Sequence, residues 1–150
     1  MPASFQPERA VLLFPSDGAQ PIDQVDWSAF DTVVVIDGTW QQARSMLNNK
    51  QSPITGIKTH VCLNAEGLET RFWRYQKFGP HCLSTIEAIH RFFVELPQQD
   101  CSLAKKDIHQ YDNLLWFFAW FYQLIQQNYR EDPTRQYTSR HRPGYIISRH

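Results

Sequence analysis

Apolar positions along this chain come in two alternating kinds of block. Ala10–Pro15 (AVLLFP) and Thr32–Ile36 (TVVVI) are continuous apolar runs, the second strongly β-branched. Runs this short with no polar face read as strands buried on both sides, as in a parallel sheet. KTHVCL, within Gly56–Leu63, is a third strand candidate. Thr39–Asn49 instead carries Trp40, Ala43, Met46 and Leu47 at helical spacing, with Thr39 placed as an N-cap. Ser84–Val94 reads as a helix opened by a capping box, Ser84 with Glu87 three residues on. Tyr111–Asn128 is a long helix crowded with Trp, Phe, Tyr and Leu; its helix propensity is moderate, so burial is expected to hold it. SDGAQPID is turn chemistry and Asp26–Phe30 a short helical piece. Strands alternating with helices predict an α/β domain with a mainly parallel sheet flanked by helices.

Composition leaves that picture intact. The 150 residues are 42% hydrophobic and 20% charged, as expected of one globular domain. No run approaches a membrane span, and MPASFQPERA lacks the pattern of a signal peptide. Three cysteines, Cys62, Cys82 and Cys101, without a CxxC pair, predict neither a disulfide framework nor a metal site. An intracellular, reducing location is the expectation. Net charge is +0, which argues against a uniformly basic nucleic-acid binder. The charge is uneven, however. Residues 133–150 hold Arg135, Arg140, Arg142 and Arg149 with no acid, and read as a basic flexible tail or a backbone-binding arm.

Three stretches carry candidate chemistry. In Asp37-Gly38-Thr39-Trp40 a carboxylate follows a strand and precedes a helix. Ligands of α/β sheets bind at such carboxyl ends, where helix N–H donors are available. The same residues also make a plain capped turn. Ser84-Thr85-Ile86-Glu87-Ala88 places two hydroxyls and a carboxylate at another helix start, as a capping box or as a ligand-holding turn. Arg71–Phe78 (RFWRYQKF) interleaves three cations with four aromatics. Cations meet phosphates and flat rings stack on exposed bases, although the same pattern suits a strand with aromatic and charged faces.

Taken in order, these segments resemble the DTW-domain family. The family's DxTW motif closes a hydrophobic strand, matched by VVVIDGTW. Its STxEA motif is matched by Ser84–Ala88, and its strand ending in FP by Leu13-Phe14-Pro15. RFWRYQKFGPHCLSTIEAIHRFF and YDNLLWFFAWFYQLI resemble an animal branch of the family, and the likeness runs from about Val11 to Gln127. The resemblance implies a domain over residues 1–132 with a SPOUT-like α/β fold, whose relative ends in a trefoil knot. It implies an S-adenosylmethionine-dependent tRNA-uridine aminocarboxypropyltransferase, acting at N3 of a uridine in the D-loop. The partner is then tRNA, with no membrane and no metal in this chain, and nuclear residence is expected. Family members also carry a Cys-rich N-terminal segment and a further strand-loop region. Neither is found here, so a short form is expected, and its activity alone stays open.

By that resemblance Thr39 and Ser84 contact the cofactor, with Trp40, Thr85 and, by looser alignment, Leu68. Asp37 is the first candidate for general base, which requires burial beside Trp40 to raise its pKa; otherwise it binds the cofactor's amino group. Glu87 is the second candidate. Arg71, Trp73, Arg74 and Lys77 are expected on RNA. A SPOUT-type RNA methyltransferase and an inactive RNA-binding module are the competing readings.

Overall fold

A computed structural model of the chain describes residues 5–64, 66–74, 78–97, 103, 108–132 and 134. The chain forms two compact units, Met1–Asn64 with Arg91–Ile108, and Ala65–His90 with His109–His150.

The first unit is built on a four-stranded parallel sheet. Its strands are β1 (Ala10–Leu13), β2 (Gln20–Pro21), β3 (Thr32–Val35) and β4 (Thr59–Cys62), in the order β2-β4-β1-β3. β1 lies between β3 and β4, with Leu13 opposite both Val35 and Val61. A strand paired on both edges and covered on both faces needs apolar residues throughout, and all four residues of β1 are buried. The three apolar runs became strands, but β3, expected to be buried on both sides, is an edge strand paired only with β1 and half-buried along its length. β2 falls inside SDGAQPID, which the sequence presented only as a turn. Two residues are too few to show a period, and a proline is tolerated there because the strand is at the sheet edge.

Helix α1 (Trp40–Asn48) follows β3, and the chain then returns to β4. Ala43 of α1 packs with Ala10, Leu12, Phe14, Ile54 and Ile57, and Val34, Ile36 and Trp40 lie against that cluster. Successive strand residues point to opposite faces, so Val11 and Leu13 serve the other side. Asp26–Phe30 contains the expected helical piece, a 3-10 turn at Trp27–Ala29 capped by Asp26, which accepts from Ser28 N at 3.1 Å. Trp27 is buried, donates to the Ile22 carbonyl at 2.8 Å, and meets Phe92 edge to face at 5.4 Å.

Helix α2 (Thr85–Glu95) gives Thr85–His90 to the second unit and Arg91–Glu95 to the first. Helix α3 (Trp116–Glu131) belongs to the second unit. It begins later than its sequence suggests, because Ile108–Leu115 winds as a tighter 3-10 stretch. The expectation that burial holds this helix is corrected. Trp116 is 59% exposed, Phe117 67% and Trp120 47%, while Gln126 is buried. The architecture is mixed α/β with a parallel sheet. Lys77, Cys101 and the arginines of the tail lie outside the described residues.

Candidate functional site

In the first unit, the Asp37–Trp40 turn stands at the carboxyl end of β3. Thr39 caps α1 in a reciprocal box: its hydroxyl accepts from Gln42 N at 3.3 Å, and Gln42 Oε1 accepts from Thr39 N at 2.9 Å. The Thr39 hydroxyl also donates to Gln42 Oε1 at 2.9 Å. Gln42 was missed as the partner of Thr39, though a Gln three residues after Thr is a legible capping signal. Gly38 has φ +153°, and a Cβ there would stand 3.3 Å from Gln42 Oε1. The turn thus favours glycine for its conformation, and a Cβ there would press on the Gln42 side chain.

Asp37, Gly38 and Thr39 are all exposed. The burial that a base role for Asp37 requires is absent from this structure. Trp40 is half-buried, with its ring 5.5 Å from that of Phe14, so much of its surface belongs to the core. The turn offers an exposed carboxylate, a backbone without a Cβ, and a helix start. That donor set suits a zwitterion: an ammonium for Asp37 and a carboxylate for backbone N–H groups.

The second unit holds the other motif. Glu87 gathers four hydrogen bonds. Oε2 accepts from Ser84 N (2.8 Å), Ser84 Oγ (2.7 Å) and Thr70 Oγ1 (2.7 Å), and Oε1 accepts from Arg71 N (2.8 Å). Thr70 is 1% exposed, accepts from Phe72 N at 3.0 Å through its hydroxyl, and donates its own N–H to Pro80 O at 2.8 Å. Of the capping box foreseen at Ser84, the bond from Ser84 N to the Glu87 side chain is present, as one part of a larger network that also fixes Thr70–Phe72. Thr70 had no local signal, because its partner lies far along the chain. Thr85 begins the helix and Leu68 is half-buried in the preceding loop.

Arg71 and Arg74 are exposed, while Trp73 is half-buried. Trp73 packs at 4.6 Å from Phe72, 5.9 Å from Phe118 and 6.2 Å from Phe121. Arg74 sits over the Phe72 ring at 5.9 Å. The arginines are exposed, on a segment whose aromatics pack on one another and on Phe118 and Phe121 of α3.

Two further polar groupings were not foreseen. In the first unit Ser16 Oγ lies 2.5 Å from His60 Nδ1. In the second, Asp112 bridges His90 (3.2 Å) and His109 (3.1 Å). Hydrogen bonds from His90 and then His109 hold the Asp112 carboxyl below its usual range. Cys82 is buried, and burial pushes its thiol pKa up, as in an unreactive core cysteine. Among the described residues no group of three or more His, Cys, Asp or Glu side chains could hold a metal ion. No helix of the described residues is long and apolar enough to cross a membrane.

A parallel α/β sheet with an Asp-Gly-Thr-Trp turn at its carboxyl end, and a Ser-Thr-x-Glu-Ala helix start, defines the class. The DTW-domain family model matches residues 2–126, and the chain belongs to that family. It is 40% identical over 95 residues to tRNA-uridine aminocarboxypropyltransferase 1 of Xenopus laevis, covering 62% of this chain and 30% of that protein. The protein of the same name from Homo sapiens is 37% identical over 95 residues, covering 63% and 29%. The tRNA-uridine aminocarboxypropyltransferase 2 of Drosophila melanogaster is 39% identical over 80 residues, covering 53% and 31%. The chain thus spans about three-tenths of the length of the curated relatives it matches. No solved structure matches.

Proposed function

We propose that this chain carries the catalytic core of a tRNA-uridine aminocarboxypropyltransferase. The observation that carries the reading is the family match over residues 2–126 together with the Asp37–Trp40 turn at the sheet's carboxyl end. The names of the relatives supply the reaction class. S-adenosylmethionine, when bound, supplies an aminocarboxypropyl carbon activated by its bond to a sulfonium. On this reading the chain's own residues bind and orient. Exposed Asp37 takes the ammonium of the aminocarboxypropyl group, and the start of α1 takes its carboxylate through first-turn N–H groups other than those of Thr39 and Gln42. Asp37 is then a binding group rather than the base, which accords with its exposure.

In the second unit, Glu87 acts as a positioning residue. Its lone pairs are taken by Ser84, Thr70 and Arg71, and taking a substrate proton would break those bonds. By holding Arg71 N it sets the segment whose Arg71 and Arg74 meet tRNA phosphates. The SPOUT-like relation, the D-loop uridine and nuclear residence belong to the same proposal.

The test is incubation with S-adenosylmethionine and unmodified tRNA, followed by digestion and mass measurement of the nucleosides. A uridine heavier by one aminocarboxypropyl group is the expected product. A methylated nucleoside would assign the chain to methyl transfer instead. No product, with S-adenosylmethionine also unbound, would leave an RNA-binding module.

A further inference from the structure

Uridine N3 carries a weakly acidic proton that must leave before or as the nitrogen attacks, so the reaction needs a proton acceptor. The two motifs do not provide a convincing one. Asp37 is exposed and Glu87 is already saturated with donors. A third group lies on the sheet itself.

Ser16 follows β1, and His60 is the second residue of β4, so the pair joins two neighbouring strands of the first unit. Their 2.5 Å contact is part-buried and closes across 44 residues of chain. His60 stands opposite Leu12 in the parallel register. Paired residues of neighbouring strands share a face. Leu12 belongs to the cluster against which Ile36 and Trp40 pack, so His60 occupies the same face of the sheet as the start of α1. Phe14, the next cluster residue along β1, touches the Trp40 ring at 5.5 Å. Ser16 is two residues beyond it, past the carboxyl end of the strand. The face of the sheet that carries the start of α1 thus also carries His60, and Ser16 lies past its carboxyl end, where the Asp37–Trp40 turn stands.

We propose that His60 is the proton acceptor of the transfer and that Ser16 is its positioning residue; this rests on the function proposed above. Nδ1 faces Ser16, and the other ring nitrogen has no hydrogen-bond partner among the described residues. With Nδ1–H donating to Ser16 Oγ, Nε2 keeps its lone pair for the substrate. The hydrogen bond at one nitrogen fixes which nitrogen is basic. The N3 proton passes to Nε2. The N3 electron pair forms the new N–C bond, and the C–S bonding pair leaves with the sulfur of S-adenosylmethionine. His60 ends as an imidazolium whose Nδ1–H still donates to Ser16.

The experiment has two readings on the same protein. Long-range 1H–15N correlation on neutral His60 reports the tautomer without any turnover. The Nδ1–H form is expected in the wild type, with a mixture in Ser16→Ala and recovery in Ser16→Thr. A predominant Nε2–H form in the wild type overturns the proposal. In the tRNA assay, His60→Gln is expected to lose at least about a hundredfold in kcat, with S-adenosylmethionine affinity and thermal unfolding unchanged. Ser16→Ala loses about tenfold, because part of the population holds the wrong tautomer. An unchanged kcat in His60→Gln overturns the assignment. If the wild type itself makes no product, the functional reading fails and takes the catalytic role with it. The tautomer result separates that failure from a mis-assigned histidine.

Discussion

Thr70, 1% exposed, donates its hydroxyl to Glu87 Oε2 at 2.7 Å across 17 residues of sequence. One carboxylate therefore caps α2 and anchors the loop before it. Glu87→Gln keeps the shape but turns one acceptor oxygen into a donor, which then faces an N–H or O–H that has lost its partner. The expected destabilisation is about 1–3 kcal/mol. Thr70→Val removes one of the four bonds to Glu87 and also the bond that the hydroxyl accepts from Phe72 N, and is expected to cost about 1–3 kcal/mol. Urea unfolding of the two single variants and the double variant checks this. Additive effects would show that the two side chains are not coupled.

Gly38 makes the DTW turn possible. Gly38→Ala must adopt φ +153° with its Cβ 3.3 Å from Gln42 Oε1 and 3.4 Å from Gln42 Cβ. The capping box then opens or the backbone shifts, at an expected cost of about 1–3 kcal/mol. Thr39→Ala leaves the backbone free but removes the cap, for about 1 kcal/mol. Thermal unfolding ranks the two. S-adenosylmethionine affinity is expected to fall more in Gly38→Ala, because there the backbone itself moves.

Much of this was legible in the sequence, and what was missed has a physical pattern. The strands at Ala10–Leu13 and Thr32–Val35 were legible as unbroken apolar runs, the first because it is buried on both faces, the second, half-buried at the sheet edge, because it is β-branched. α1 and α2 were legible from spacing and caps, which are local. Thr70 with Glu87 and Ser16 with His60 are contacts over 17 and 44 residues, and no local pattern records which distant group a hydroxyl meets. The aromatic helix misled for a different reason. Trp116, Phe117 and Trp120 have the composition of a core, yet composition does not say whether the covering surface belongs to the same chain.

That exposed stripe has a consequence in solution. Phe117 is 67% exposed, so Phe117→Gln gives up little buried area, and its effect on stability is expected to stay within about 0.5 kcal/mol. Binding of an apolar fluorescent dye to the folded protein should fall, and the concentration at which the protein precipitates should rise. A loss of stability as large as that of a core truncation would mean that Phe117 is covered in solution.

Asp112 gives the second unit a defined response to acid. Its carboxyl is held below 3.8 chiefly by the hydrogen bond from His90 and next by that from His109. A depressed folded-state pKa contributes stability above the unfolded value. That contribution declines as pH falls through the folded one, so the window lies below 3.8. The group is open to solvent, so the shift in its titration is the quantity to follow. Observed by carboxyl-carbon NMR, Asp112 should titrate below the ordinary aspartate value in the wild type. His90→Ala should move its midpoint upward more than His109→Ala does, since the His90 bond is the larger cause. The reverse ranking would mean that the link across 22 residues to α2 is the weaker one. The 3-10 stretch would then be tied to its own turn through His109, three residues away, rather than to the helix that starts at Thr85.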